Sequence, residues 1–156
     1  MSIFEKYAKK IDQAALAESQ KEINESNSGE YKDVPHGTYE VEINKMECKK
    51  SKSGNPMVSI WFKILEGEYK DSLIFYNGVF YEDWMRHRVV DLLSEIMDDD
   101  THKAEINLIL KDSNVDEVND FVMDLHEEID GKLEYLLEYG QKKGYDTYKI
   151  KEVFEV

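Results

Sequence analysis

The spacing of apolar residues changes period along the chain, and each change predicts an element. Ile3, Tyr7, Ile11 and Ala14 recur at helical spacing. An amphipathic N-terminal helix is therefore expected, followed by a polar linker, "NESNSGEYKD", at 24–33. From Thr38 the period becomes two. Tyr39, Val41 and Ile43 alternate with Thr38, Glu40, Glu42 and Asn44, as in a half-buried strand. Beyond Lys45 the parity flips to Met46 and Cys48, which predicts a β-bulge and hence a bent strand. After the turn "SKSGNP", a second strand puts Val58, Ile60, Phe62 and Ile64 on a core face, with Ser59, Trp61 and Lys63 on the other. "LIFYNGVF" reads as a third strand whose faces are both apolar, so neither is assigned.

From residue 81 the spacing turns helical, with Met85, Val89, Leu92 and Ile96. "HKAEINLILK" fits a strand or a helix. Val115, Val118, Val122, Leu125 and Ile129 predict an amphipathic helix with its acids outward, ended by Gly131. Two strands close the chain. One turns Leu133, Tyr135, Leu137 and Tyr139 inward; the other buries Tyr148, Ile150 and Phe154 and exposes Lys149 and Lys151. "GQKKG" joins them as a hairpin.

Three strands, a helical insert and a closing pair predict an α+β, mainly β fold. Strand order alone leaves other small α+β folds open; the long, bulged first strand and the position of the helices point to the five-stranded oligonucleotide/oligosaccharide-binding (OB) barrel. The division expected is a helix and linker at 1–33 and an OB domain at 34–156, with the insert at about 81–130 between strands three and four.

Composition changes this picture in one respect. The 156 residues suit one domain, and the net charge of −14 taken alone argues against a nucleic-acid ligand. The charge is unevenly spread. Five lysines and one acid, Glu47, lie at 45–63, and four lysines and one acid, Asp146, at 140–151. Residues 112–130 carry eight acids and no Lys or Arg. The two basic stretches fall on the loops that flank the binding face of an OB barrel. That face is expected to comprise Lys49, Lys50, Lys52, Ser59, Trp61, Lys63, Tyr76 (with Phe75 as its alternative by parity), Lys142, Lys143, Lys149 and Lys151. An aromatic ring beside lysines suits a single strand, because bases stack on the ring while ammonium groups meet phosphates. The competing expectation is a Trp61 packed beneath the N-terminal helix.

Catalysis and metal binding find no support. His36, His87, His102 and His126 are scattered, and Asp98, Asp99 and Asp100 read as a solvated run. His126 reads as a surface residue and Cys48 as an inert core thiol. There is no phosphate-cradling loop and no nucleophile elbow. No catalytic residue, cofactor or metal is expected. A single cysteine fits a reducing compartment, and no apolar run is long enough to span a membrane. The N-terminus lacks a signal-peptide core. A cytoplasmic protein is expected.

Pro35-x-Gly37-x-Tyr39, Gly54-Asn55-Pro56-Met57 with Trp61-Phe62, and Tyr148-Lys149-Ile150 carry a resemblance. Over roughly 34–80 and 131–156 the chain resembles phage-encoded, OB-type single-stranded DNA-binding proteins found among phage replication and recombination genes. The resemblance implies single-strand binding without catalysis, in a host-cell cytoplasm, beside phage replication or recombination proteins. Many such proteins end in an acidic tail that recruits partners, whereas "KEVFEV" reads as strand. RNA as ligand and a homo-oligomer stay open. The alternative function is an acidic interaction module that recruits or inhibits a nucleic-acid-handling protein through the 112–130 helix.

Overall fold

A computed structural model describes residues 34–156. The expected N-terminal helix, its linker and its cover over Trp61 fall outside those residues. Five strands are present: β1 (Gly37–Lys50), β2 (Pro56–Ile64), β3 (Leu73–Val79), β4 (Leu133–Lys142) and β5 (Tyr145–Glu155). Between β3 and β4 lie α1 (Asp83–Met97), α2 (Lys103–Asp112) and α3 (Val115–Ile129). The fold is α+β and mainly β, with one antiparallel sheet in the order β3-β2-β1-β4-β5.

β1 is the strand that both halves of the sheet share. Its first residues pair with β4, from Gly37↔Tyr139 to Val41↔Tyr135. From Val41 onward it pairs with β2, ending at Lys50↔Pro56. The register slips between Ile43 and Lys45, which places the bulge where the parity flips. Val41, Ile43, Met46 and Cys48 all reach the core because the extra residue, Asn44, restores the inward face. A bulge leaves a backbone group without its ladder partner. Here the Ile43 carbonyl accepts from His126 Nε2 at 3.1 Å. His126 is therefore no simple surface residue. Its ring pins α3 to the bulge, while Asn119 of the same helix accepts the Cys48 N–H at 2.9 Å.

α3 starts with a capping box, Asn114 and Glu117 each taking the other's backbone N–H. Its buried stripe is Val118, Val122, Leu125 and Ile129; Val115, the fifth residue of the expected stripe, is half-buried in the first turn. The ambiguous segment is the helix α2, which buries Ile106 and Leu110. α1 buries Val89, Val90, Leu92, Leu93 and Ile96. Tyr135, fully buried, donates to the Ile96 carbonyl at 2.8 Å and so satisfies one of the last carbonyls of α1.

The sheet is open, which corrects the expectation of a closed barrel. β3 and β5 form the two edges, and no ladder joins them. Side chains bridge that seam instead. The Tyr148 hydroxyl on β5 donates to the Phe75 carbonyl on β3 at 2.8 Å. Glu95 of α1, a helix packed against both edge strands, accepts the Ile150 N–H at 3.3 Å. An unpaired edge must be covered or capped, and here a helix carboxylate and a tyrosine do so where a fifth ladder of backbone bonds would have closed the sheet.

Candidate nucleic-acid interface

The registers set which side chains share the outer face of β1, β2 and β3. With Val58, Ile60, Phe62 and Ile64 in the core, Met57, Ser59, Trp61 and Lys63 face away from it. Across Trp61 stand Lys45 on β1 and Phe75 on β3. These three make one row. The Phe75 ring lies edge-on to the indole, centroids 5.3 Å apart at 83°. Lys45 Nζ sits 4.7 Å from the indole centroid. Lys49 and Lys63 occupy the same face, one residue pair and more to either side.

The face is not uniformly basic. Glu47 lies between Lys45 and Lys49, 3.5 and 3.6 Å from their ammonium groups. Lys63 meets Asp71 at 3.7 Å. Nor is it uniformly open: Met57, Leu73 and Phe75 are buried, and Trp61 is half-buried.

Two expected members of the site are not available on this face: Ser59 shares it but is buried, and Tyr76 lies on the core side. Ser59 is 2% exposed and donates to Asn77 Oδ1 at 2.7 Å, so its hydroxyl is spent within the sheet. Tyr76 has the opposite parity. It pairs with Ile60 on the core side and packs edge-on against Tyr148, centroids 5.0 Å apart. Burial pushes the phenols of both Tyr76 and Tyr148 above their ordinary range. Gly78 makes room for the Tyr76 ring, since a Cβ there would come within 2.3 Å of its hydroxyl. Phe75 is thus the aromatic neighbour of Trp61, and Lys45 is a member that the sequence reading left out of the face.

The lysines of the two loops bracket the sheet rather than meeting. Lys50 and Lys52 stand at the C-terminal end of β1, where Ser51 and Asn55 close the β1–β2 loop through a 2.8 Å backbone bond. Lys142 ends β4, and Lys143 and Gly144 form a two-residue turn with φ of 53° and 84°. Both angles are left-handed, as a type I′ hairpin requires. This turn lies beyond Gly37, at the opposite end of β1, held by the His36–Asp146 contact of 2.9 Å. The 14-residue strand separates the two loops by about 40 Å of chain path. Lys149 and Lys151 project from β5, Lys151 paired with Glu138 at 3.0 Å. Among the described residues, no carboxylate lies within ion-pair distance of Lys50, Lys52, Lys142, Lys143 or Lys149.

No cluster of His, Cys, Asp or Glu among the described residues is placed to hold a metal ion. Burial pushes the Cys48 thiol up to about 11, which keeps it protonated and unreactive. None of the described helices is long and apolar enough to cross a membrane.

A half-buried indole between an aromatic ring and an ammonium group, on one face of an antiparallel sheet, has the chemistry to meet a flat, anionic ligand. Residues 21–90, less than half of the chain, match the model of a family described as a protein of unknown function (DUF669). That span includes β1, β2, β3 and the Lys45–Trp61–Phe75 row. No curated protein matches the chain.

Proposed function

We propose that this protein binds single-stranded nucleic acid, without catalysis, on the outer face of β1, β2 and β3. The observation that carries the reading is the Lys45–Trp61–Phe75 row. A base stacks on the exposed part of the indole, and Lys45, Lys49 and Lys63 exchange their carboxylate neighbours for phosphates. Base stacking is worth about 1–3 kcal/mol and accepts any base, so the binding is independent of sequence. Lys50 and Lys52 extend the cationic surface at one end of the face. Lys142 and Lys143 are reached only by a strand long enough to follow β1 to its other end.

The finer fold assignment belongs to the same proposal. An OB barrel is itself partly open, and a three-strand meander whose β4 returns beside β1 after the helices fits an OB barrel left open along the β3–β5 seam. The resemblance to phage single-stranded DNA-binding proteins suggests DNA replication or recombination in a phage-infected cell as its setting. Mobility shift of a labelled single-stranded oligonucleotide tests the class: a shifted band is expected, and none at micromolar protein in low salt rejects it.

A second reading has its own observation. Asp116, Glu117, Asp120, Asp124, Glu127 and Glu128 are all exposed on α3, around an exposed Met123. That face suits a basic protein partner, with the methionine as an adaptable apolar contact. This interaction module is what remains if the oligonucleotide does not bind.

A further inference from the structure

A groove of about 400 Å³ lies between one end of the sheet and the helices, and its lining includes Lys50, Pro56, Tyr81, Arg86, Lys111 and Asn114. Lys50 and Pro56 form the last pair of the β1–β2 ladder, and the Phe80 N–H just past β3 donates to the Pro56 carbonyl at 3.1 Å. Arg86 comes from the first turn of α1 and Lys111 from the last turn of α2. Three cations and no carboxylate line the groove, in a chain of net charge −14.

Arg86 is the informative member. Its side chain is 8% exposed, and a charge so far from water needs partners. Nε donates to Asn107 at 2.9 Å, and Nη2 pairs with Asp83. Nη1 has no protein partner among the described residues. An acceptor that enters the groove is the partner it lacks. Asp83 is exposed and offsets one of the three charges; the Arg86 guanidinium and, less strongly, Lys111 hold its carboxyl below the usual carboxylate range. The cations remain in excess. Among the described residues, no carboxylate lies within ion-pair distance of Lys50 or Lys111.

A guanidinium and two ammonium groups converging from three elements suit a phosphate, the first through directed hydrogen bonds and the others as point charges. Tyr81, 39% exposed, and Pro56 add an apolar wall for an organic group that carries it. The start of α3 adds little, because its capping box already engages Asn114 and Glu117. An adjoining groove shares Lys50 and reaches Lys49 of the outer face; Asp116 borders it and bounds the cationic surface there.

We propose that this groove binds a phosphate group, with Arg86 as its directed donor and Lys50 and Lys111 as its charges. Two sources share that chemistry: a small phosphate compound, and the phosphorylated end of a nucleic-acid strand. The site itself stands independently of the single-strand reading.

The chain has two arginines, Arg86 and Arg88, so Arg88→Lys leaves Arg86 as the single source of an arginine Nε–H resonance. Titrating the full Arg88→Lys chain with inorganic phosphate at constant ionic strength should move that resonance along a saturating curve. Lys50→Gln or Lys111→Gln in the same background removes an exposed charge and should raise the midpoint roughly 3- to 10-fold with an unchanged melting temperature. A resonance that stays put or drifts linearly with phosphate overturns the site, as does a midpoint that neither Gln variant moves. Oligo-dT with and without a terminal phosphate separates the sources. Tighter binding of the phosphorylated strand, lost in Lys111→Gln, assigns the strand end; equal affinity beside saturable phosphate binding assigns the small compound. Oligo-dT that does not bind at all overturns the single-strand reading and leaves the phosphate site standing on its own titration.

Discussion

Trp61→Ala perturbs stability and binding together, and the structure separates the two amounts. The indole is half-buried, so its removal opens no sealed core cavity. Folding loses the apolar area that the ring buries, the edge-on contact with Phe75 and the cation–π contact with Lys45. An aromatic pair is worth about 0.5–1.5 kcal/mol and an exposed cation–π contact about 0.5–1 kcal/mol. These contacts sum to about 1–2.5 kcal/mol, and the ring's partial burial raises the expected destabilisation to about 2–4 kcal/mol, at the lower end of the roughly 3–5 kcal/mol of a core tryptophan. Since domains are stable by about 5–15 kcal/mol, the variant stays folded and its affinity is measurable. Loss of stacking should then weaken oligo-dT binding by about 1–3 kcal/mol. Trp61→Phe keeps a ring and should lose less of each. Urea unfolding followed by circular dichroism gives the first number; anisotropy of a labelled oligonucleotide on the folded variant gives the second. A folded Trp61→Ala chain that binds oligo-dT as tightly as the parent would refute the stacking role. A stability loss of about 5 kcal/mol or more would place the ring in the sealed core instead.

Other consequences concern the scaffold. Val122→Ala removes methyls from a fully buried position on α3 and should cost about 1–3 kcal/mol in urea unfolding; no measurable cost would remove Val122 from the core. Gly78→Ala drives a Cβ to within 2.3 Å of the buried Tyr76 hydroxyl and should cost about 1–3 kcal/mol, whereas an Ala chain as stable as the parent would show that the Tyr76–Tyr148 packing yields freely. Burial raises the Glu95 carboxyl above its ordinary pKa, opposed by the Ile150 N–H bond. The folded state therefore holds that proton more tightly than the unfolded chain, and the contribution to stability is present below the unfolded pKa and lost as pH rises through the folded one. Relative to Glu95→Gln, which keeps an acceptor for Ile150, the parent's melting temperature should fall as pH rises through the carboxylate range; a constant difference would contradict the burial.

Strands, bulge and acidic helix were legible because each rests on a local period. The flip from Ile43 to Met46 announced the bulge before any partner was known, and five apolar residues at helical spacing announced α3. The third strand was not legible in the same way. Its two faces are both apolar because one packs in the core and the other against Trp61, so only the register with β2 distinguishes Phe75 from Tyr76. Burial of the Ser59 hydroxyl depends on Asn77, its partner across the strand pair. α2 was ambiguous because it buries only Ile106 and Leu110 and exposes Leu108, too weak a stripe to fix a period. Closure of the sheet is the least local property of all. It turns on whether β3 and β5 exchange backbone bonds, and Tyr148 and Glu95 take those positions from distant points in the chain. His126 reads as a surface residue in the sequence for a related reason: its partner is a carbonyl freed by a bulge 83 residues earlier.

Single-strand binding on the Trp61 face is tested most directly by titrating the full chain with labelled oligo-dT, with the matching duplex as competitor, at about 50 and 200 mM salt. Contacts from Lys45, Lys49, Lys50, Lys52 and Lys63 at about −0.7 each predict a log–log salt slope of about −3.5, or roughly 100-fold weaker binding across that range. The duplex should compete poorly, because its bases are unavailable for stacking. Binding that is insensitive to salt, or equal displacement by the duplex, would contradict a lysine-flanked stacking platform.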